Sequence, residues 1–440
     1  MSKHTVVISV DAMVFEDLEY LITLPNFSRL LDGASVIERV STIYPSVTHP
    51  VHATIITGAP AGVTGIPNNY IFDPADPENS REWYNRLSEI KCDTLLHAAK
   101  RGGFTVASAT WPLVTECGDT VDHLVPGMLN YYFDDDERDP VSKYVLHGAG
   151  EEMRDIISKA IELYGYRDCH PNFEDFQTYC TAEIIKRFKP GLMLTHPSDV
   201  DSKRHGNGVF GEAVNASLRA TDGWLGQILD AIEEAGMTEE TDVIVLSDHG
   251  QINITRIISP NVFLADNGYI KLDENGRGAS WEAYAFSTGA SAQVYLSRPN
   301  DSELYNGVYK LLSKMADEGI YGFERVYTAD EVKEKYGLYG DFSFALETDG
   351  YTSFGTSVTR PAVRPFDQSD YRSGRATHGH EPHKGAQPTF IAKGPSFKKD
   401  AVIPHGNILN HAPTIAAAMG IELRDAWGQP VWEILNIPRE

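Results

Sequence analysis

The chain has 440 residues, of which 42% are hydrophobic and 23% charged, and a formal net charge of −24 at pH 7. This length and composition are ordinary for a globular protein with one large α/β domain or two to three smaller ones, and they exclude collagen-like and low-complexity classes. Because so acidic a surface repels a polyanion, a nucleic-acid polymer is not an expected partner, although a small phosphorylated compound can bind where metal ions supply positive charge.

Predicted strands and helices alternate along the chain. The strand TVVISV leads into Asp11, and an amphipathic helix is expected from about Thr48. A second helix, Asn172–Phe188, precedes the strand GLMLTH. A third, Gly211–Gly236, ends on glycine and precedes the strand DVIVLS. Short apolar strands of this kind are typical of a sheet covered on both faces. The alternation predicts an α/β fold with a doubly wound, mostly parallel sheet and helices on both faces.

Two segments interrupt the alternation. Residues 115–170, approximately, contain the acidic run FDDDERDP, and residues 265–375, approximately, contain the segment SAQVYLS and the helical pattern LYNGVYKLLSKMADEG. No repeat or linker divides the chain, so we predict a single catalytic domain over 1–440 with both segments as insertions that form a cap or rim. Aromatic residues of the first insertion could stack on a base or simply pack; they include Tyr131, Tyr132 and Phe133.

Three features bear on cellular location. The start, MSKHTVVISVDA, enters a strand without a charged leader and apolar core, and no apolar run approaches the ~18 residues that cross a bilayer. The cysteines show neither a CxxC pair nor metal-ligand spacing, as expected in a reducing compartment; they are Cys92, Cys117, Cys169 and Cys180. We therefore predict a soluble, cytoplasmic protein without a membrane partner, and its oligomeric state is unknown.

Polar residues follow the predicted strands. Asp11 and the pair Asp248-His249 come directly after strands, and Asp201 and His205 are spaced to share one face of a helical turn. The segment RATHGHEPHKG adds three histidines, His378, His380 and His383. Taken singly, an aspartate after a strand is usually a turn former or helix cap, Thr48 a cap, and His49 and His52 residues that pack or that support the ligands from outside. Ligands of open α/β sheets bind beyond the carboxyl ends of strands, where these groups would converge.

Mixed carboxylate and imidazole ligands suit zinc, with manganese or iron as alternatives. Six or seven ligands are too many for one tetrahedral ion and suit two. Two ions ~4 Å apart are a common device for displacement at phosphorus.

The segment IYPSVTHPVHATIITG combines polar and apolar residues in a way that fits a phosphate site. A helix starting at Thr48 would direct its free N–H groups and positive end at an anion, and Pro50 suits the first turn. Gly58 can end the helix, while the apolar second half anchors it beneath the sheet.

Eight segments in this order are similar to one family: VVISVDA, YPSVTHPVHATIITG, GIPNNYIFDP, DVDSKRHGNG, VIVLSDHGQ, THGHEP, FIAKGPSF and ILNHAPTIAAAMGI. Together they resemble the type I phosphodiesterase/nucleotide pyrophosphatase family of the alkaline phosphatase superfamily. The resemblance implies a two-metal hydrolase that holds two divalent ions, zinc or alternatively manganese. It assigns one ion to Asp11, Thr48, Asp248 and His249, and the other to Asp201, His205 and His378.

The same resemblance makes Thr48 the nucleophile that forms a phosphothreonine, and it makes Asn69 a donor to a phosphoryl oxygen. The chain departs from the family's usual pattern at Pro50-Val51-His52, at Thr64 and at His378-Gly379-His380. The last departure leaves His380 as a rival of His378. A cysteine or serine in the sulfatase motif is absent, which makes sulfate esters a poorer expectation.

The predicted function is metal-dependent hydrolysis of phosphodiester or pyrophosphate bonds in small, nucleotide-type molecules. A phosphomonoesterase or phosphonate hydrolase of the same superfamily is the alternative. A monoesterase usually adds a cation, for which Lys203, Arg204 and Lys384 are candidates. A phosphosugar mutase and a metal-stabilised binding protein without turnover are further alternatives.

Overall fold

A computed structural model describes residues 3–127, 138–166, 169–367 and 371–438. Tyr131, Tyr132 and Phe133, considered above for stacking, lie outside the described residues. The strands, in chain order, are β1 His4–Ser9, β2 Ser35–Ser41, β3 Val106–Ala109, β4 His123–Val125, β5 Leu192–Thr195, β6 Thr241–Leu246, β7 Ile252–Asn253, β8 Arg256–Ile258, β9 Ile270–Leu272, β10 Gly278–Trp281, β11 Ala283–Ser287, β12 Ser291–Leu296, β13 Phe323–Thr328, β14 Phe344–Thr348, β15 Thr352–Phe354, β16 Val363–Pro365, β17 Ala376–Thr377, β18 Phe390–Lys393 and β19 Val402–Asn407.

The α-helices are α1 Leu18–Leu21, α2 Pro25–Leu31, α3 Thr48–Thr57, α4 Ala61–Thr64, α5 Leu95–Arg101, α6 Pro140–Leu146, α7 Arg154–Tyr164, α8 Asn172–Phe188, α9 Asp199–Asn207, α10 Glu212–Glu234, α11 Pro260–Asp266, α12 Ser302–Glu318, α13 Ala329–Tyr336 and α14 His411–Met419. Short 3-10 turns lie at Phe15–Asp17, Pro77–Asn79, Leu87–Glu89, Gly118–Thr120, Glu151–Met153, Thr238–Glu240, Tyr371–Ser373 and Ile408–Asn410. Among the described residues, none of these helices combines the length and apolar character needed to cross a bilayer.

An eight-stranded sheet forms the centre of the fold, in the order β19-β2-β18-β6-β1-β5-β3-β4. Its pairings are parallel except those of β18, which runs antiparallel to both β2 and β6. The three strands predicted from apolar runs are β1, β5 and β6, and they are neighbours at the middle of this sheet. The predicted α/β class with a mostly parallel sheet is confirmed.

Successive residues of the central strands alternate between two hydrophobic cores because side chains of a strand point to opposite faces. In β1, Val7 joins one core, while Val6 and Ile8 join the other. Helix α3 packs in the first core through Val51, Ile55 and Ile56. Helices α8 and α10 pack in the second. Helices therefore cover both faces, as predicted.

Helix α3 has the bounds that its residues suggested. It begins at Thr48, with Val47 as an extended N-cap that makes no side-chain capping bond, so Thr48 is the first helical residue rather than the cap. It ends before Gly58, whose φ of 69° is left-handed and whose N–H binds Thr54 O. A Cβ at Gly58 would lie 2.9 Å from Pro413 Cδ, so glycine suits both the turn and the close packing.

The two segments outside the regular alternation differ in structure. Residues 265–375 include an antiparallel sheet of their own, in the order β11-β12-β14-β13. The described part of 115–170 contributes the edge strand β4 to the central sheet, together with α6 and α7. Helix α7 packs on α8 through Ile156 and Ile157 in the second core.

Candidate functional site

The carboxyl ends of β1 and β6 bring one group of potential ligands together. Asp11, Asp248 and His249, called here the first triad, each offer an atom within 4.8 Å of the others. His249 Nε2 lies 3.2 Å from Asp248 Oδ2 and 3.7 Å from Asp11 Oδ1. Thr48 Oγ1, at the start of α3, lies 3.3 Å from the same His249 nitrogen. All four residues predicted for one ion therefore face a common point.

Helix α9, which follows β5, carries two members of a second group. Asp201, His205 and His378, called here the second triad, also lie within 4.8 Å of one another. Asp201 Oδ2 lies 3.0 Å from His205 Nε2, as expected for residues four apart on a helix, and Asp201 Oδ1 lies 3.9 Å from His378 Nε2. The rings of His249 and His378 stack with centroids 4.1 Å apart, which joins the two triads into one site.

Backbone geometry separates His378 from its rival His380. Gly379, between them, has a φ of 100°, and its own position is tight because a Cβ there would meet Thr288 O at 2.0 Å. His378 turns toward Asp201, whereas His380 Nδ1 lies 2.9 Å from Glu381 O. Among the described residues, His380 joins neither triad.

Burial and charge shape the protonation of the site. Burial, followed by the charges of Asp248 and Asp201, raises the pKa of Asp11 well above its usual range. Burial alone would raise the pKa of Asp201 too, but His205 and the other nearby imidazoles lower it. Burial and the neighbouring His249 lower the pKa of His378, which keeps this imidazole neutral. A neutral imidazole beside carboxylates is the form that binds a metal ion.

Several contacts suit bound metal ions. Asp11 Oδ1 and Asp248 Oδ2 are buried and have no hydrogen-bond partner, which is costly for a carboxylate unless a cation compensates. His205 Nδ1 donates to Ala376 O over 2.7 Å. Histidines that bind a metal through one ring nitrogen usually make such a hydrogen bond with the other. Three carboxylates, three imidazoles and a hydroxyl form a donor set of the zinc type. The residues present therefore fit two divalent ions.

Thr48 and Asn69 line a pocket of about 210 Å³ together with Asp11, Asp201 and His378. Asn69 Oδ1 accepts from His49 N over 2.9 Å, so the amide is oriented by the first turn of α3. This bond leaves Asn69 Nδ2 as the donor of that side chain. The other described residues of the wall are His49, Trp83, Asn85, Thr110, Pro112, Gly127, His170, Phe173, His196, Ser198 and Ser202.

Sequence reasoning missed the outer contacts of the first triad. His196 Nε2 lies 3.1 Å from Asp11 Oδ2, and His52 Nδ1 lies 3.5 Å from Asp248 Oδ2 and 2.8 Å from Thr48 O. Ser9 Oγ, 2.9 Å from His52 Nε2, holds the opposite side of that ring. The sequence did carry a signal for His196. It is a polar residue directly after the strand β5, just as Asp248 comes two residues after the end of the strand β6. His52 is predicted from the sequence to pack or to support the ligands, and these contacts place it beside Asp248 and Thr48.

The second triad has an outer contact as well. Gln251 Nε2 donates to Asp201 Oδ1 over 2.5 Å and to Asp201 O over 3.1 Å. Gln251 is two residues beyond His249, so one short segment after β6 supplies two members of the first triad and orients a member of the second.

The three cations considered for a monoesterase are engaged elsewhere. Arg204 is fully buried and binds Asp17 Oδ2 over 2.5 Å. Lys203 lies 3.1 Å from Asp199, and Lys384 lies 2.8 Å from both Glu324 and Glu347. None of the three belongs to the described wall of the pocket.

Similarity to known proteins agrees with this geometry. The family profile "Type I phosphodiesterase / nucleotide pyrophosphatase" matches residues 5–360. The chain is 23% identical over 269 residues to human ectonucleotide pyrophosphatase/phosphodiesterase family member 1. This alignment covers 58% of this chain and 24% of the human protein. The chain is also 25% identical over 307 residues to ectonucleotide pyrophosphatase/phosphodiesterase 1 of Saccharomyces cerevisiae. That alignment covers 63% of this chain and 36% of the yeast protein. The match thus spans well under half the length of these two curated relatives.

Solved structures share the fold over nearly the whole chain. Human ectonucleotide pyrophosphatase/phosphodiesterase 5 superposes with a TM-score of 0.67 at 18% identity, covering 99% of this chain and 100% of that one. An inactive form of the murine protein in complex with AMP superposes with a TM-score of 0.65 at 17% identity and the same coverage. Because the profile match extends over most of the chain, the chain belongs to the type I phosphodiesterase/nucleotide pyrophosphatase family.

Proposed function

We propose that this protein hydrolyses phosphodiester or pyrophosphate bonds in small, nucleotide-type substrates, with two metal ions and with Thr48 as the nucleophile. The observation that carries the proposal is the position of the Thr48 hydroxyl. It stands at the first residue of α3, 3.3 Å from His249 Nε2, in a pocket that members of both triads line. Membership of the family and the AMP complex of the murine relative favour nucleotide-type substrates.

The metal ions of this proposal are zinc, with manganese as the alternative. The first triad and Thr48 would hold one ion, and the second triad would hold the other. When bound, these ions would supply Lewis-acid charge that lowers the pKa of the threonine hydroxyl and offsets the negative charge of the phosphoryl group.

The chain's own residues then account for the chemical steps. Thr48 Oγ1 attacks phosphorus, an alcohol or phosphate leaving group departs, and a phosphothreonine forms. Water then hydrolyses the phosphothreonine and regenerates the hydroxyl. Asn69 Nδ2 and the N-terminal N–H groups of α3 stabilise negative charge on the phosphoryl oxygens, for which one donor is typically worth ~3 kcal/mol. Two displacements predict net retention of configuration at phosphorus.

Diesters and anhydrides are favoured over phosphomonoesters because no cationic side chain belongs to the described wall of the pocket. A terminal phosphate carries an additional negative charge, and the pocket already contains Asp11 and Asp201. Rates on bis-p-nitrophenyl phosphate, p-nitrophenyl phosphate and phosphonoacetate would rank the three substrate classes. A product assay over dinucleotides, nucleotide sugars and glycerophosphodiesters, with zinc or manganese supplied, would then identify the substrate.

The direct test of the mechanism is Thr48→Ala. We expect turnover to be abolished, because the attacking hydroxyl is removed, while the fold and most of the metal content are retained. Thr54→Ala is the matched control on the same helix, since its hydroxyl is bound to Pro50 O and Ala59 O within the core. Full activity of Thr48→Ala would rule out the covalent mechanism. The cytoplasmic location and the single-domain description with two insertions stay predictions.

A further inference from the structure

A third group of metal-type ligands lies beside the same pocket, outside both triads. His170, Glu174 and Asp199 each offer an atom within 4.8 Å of the others. His170 precedes the N-cap residue of α8, Glu174 lies in the first turn of α8, and Asp199 is the first residue of α9. His170, Ser198 and Ser202 all belong to the pocket wall, so this cluster lies beside the candidate site without being part of the triads.

Glu174 is the central observation because its carboxylate is buried but only half satisfied. The residue has no exposed surface. Its Oε1 accepts from His170 Nδ1 over 2.7 Å, from Ser198 N over 3.2 Å and from Ser198 Oγ over 3.2 Å. Its Oε2 is buried and has no hydrogen-bond partner. Burial of an uncompensated carboxylate oxygen is costly, and a bound cation removes that cost.

Asp199 adds a second buried carboxylate, 2% exposed, to the cluster. Ser217 Oγ donates to its Oδ2 over 2.5 Å, which fixes the orientation of the carboxylate. Its Oδ1 lies 3.1 Å from Lys203 Nζ without a hydrogen bond. Lys203 is one-third exposed at its side chain and extends from the next turn of α9, so it can turn to solvent when another cation takes its place.

We propose that Glu174, Asp199 and His170 form a third divalent-cation site at the wall of the pocket. Two carboxylates, one imidazole and nearby hydroxyls form an oxygen-rich donor set, which suits Mn²⁺ better than the second triad does with its one carboxylate and two imidazoles. The cation binds Glu174 Oε2, replaces Lys203 at Asp199, and adds positive charge to a pocket whose described wall carries Asp11 and Asp201 and no lysine or arginine. The competing arrangement is a metal-free pair of ion pairs, His170 with Glu174 and Lys203 with Asp199.

The test measures Mn²⁺ binding to the full-length protein loaded with two equivalents of zinc. We expect wild type to take up one further equivalent of Mn²⁺ by equilibrium dialysis and electron paramagnetic resonance, and Glu174→Gln to lose that equivalent with its zinc content unchanged. Glu183→Gln, on the same helix but paired with Lys186 and Arg187, is the matched control and retains it. The readout is the difference between variants, so it does not depend on how the triads are occupied.

A second variant keeps the proposal testable if Glu174→Gln folds poorly. His170→Gln changes a partly exposed residue at the pocket wall. In wild type, bound Mn²⁺ is expected to show hyperfine coupling to one imidazole nitrogen, and this coupling is lost in His170→Gln while it persists in Glu183→Gln. Zinc-loaded wild type that takes up no Mn²⁺, or a Glu174→Gln variant that binds it as tightly as wild type, would establish the metal-free ion pairs and overturn the site.

Discussion

The position of Asn69 gives the sharpest prediction about catalysis. Its side chain is 1% exposed, its Oδ1 is bound to His49 N over 2.9 Å, and the residue lines the pocket beside Thr48. One end of the amide thus binds helix α3, and in the proposed function the other end donates to a phosphoryl oxygen. Two substitutions separate these roles. Asn69→Ala removes both, whereas Asn69→Asp keeps an acceptor for His49 and replaces the donor with an oxygen.

The expected magnitudes differ between stability and catalysis. Loss of one preorganised donor to developing negative charge lowers kcat by ~10²–10³-fold, or about 3–4 kcal/mol, and both variants should show it. A buried N–H without a partner costs ~1–3 kcal/mol, so Asn69→Ala should also lower the free energy of unfolding by that amount. Asn69→Asp should lose less than about 1 kcal/mol, because the bond from His49 persists at a helix N-terminus that favours negative charge.

The assay combines kcat and KM on bis-p-nitrophenyl phosphate with urea unfolding of the same metal-loaded samples. Asn85→Ala is the matched control: it is the same residue type on the same pocket wall, but its Nδ2 donates to Gly127 O over 3.3 Å. Its kcat is expected to stay within about threefold of wild type, since no donor to the phosphoryl group is lost. An Asn69→Asp variant with wild-type kcat would refute the assignment of Asn69 as the donor.

Three further predictions concern His378, Gly379 and the buried His411. His378→Ala should lose about one of two zinc equivalents while His380→Ala keeps both, as measured by metal analysis after dialysis, since only His378 joins a triad. Gly379→Ala should lower the free energy of unfolding by at least about 2 kcal/mol in urea titrations, because its φ of 100° is strained for alanine and the new Cβ meets Thr288 O; wild-type stability would contradict the close approach. Burial lowers the pKa of His411 to about 3, so the folded state resists a proton that the unfolded chain accepts below about pH 6.5, and stability falls with falling pH. Between about pH 6 and pH 4, the free energy of unfolding of His411→Phe should therefore fall by about 2–3 kcal/mol less than that of wild type in urea titrations. Equal decreases in the two proteins would show that His411 is not the titrating group.

Local residue patterns predicted the central strands and the helices next to the site. The apolar runs before Asp11 and Asp248 form adjacent strands, and Asp201 and His205 share a helix face because four residues make about one helical turn. Helix α3 begins at Thr48 and ends before Gly58. Such features depend on interactions within a few residues, which a sequence displays directly.

Contacts between distant segments were not predictable in the same way. His196 reaches Asp11 and Arg204 reaches Asp17 across 185 and 187 residues. Neither pair has a spacing that could mark it, and the sequence offers Arg204 as a pocket cation or a solvated side chain, whereas the structure buries it. The cluster of His170, Glu174 and Asp199 likewise joins the starts of two helices that are separated in the chain by β5.

The sequence by itself determined the three central strands β1, β5 and β6, the helices next to them and the polar side chains that follow the strand ends. Only the tertiary structure decided which of His378 and His380 joins Asp201, where antiparallel β18 enters the sheet, and which cations stay out of the pocket. The physical reason is range: hydrogen bonding within a helix turn and alternation along a strand act between near neighbours. The approach of one segment to another depends instead on the packing of both hydrophobic cores at once.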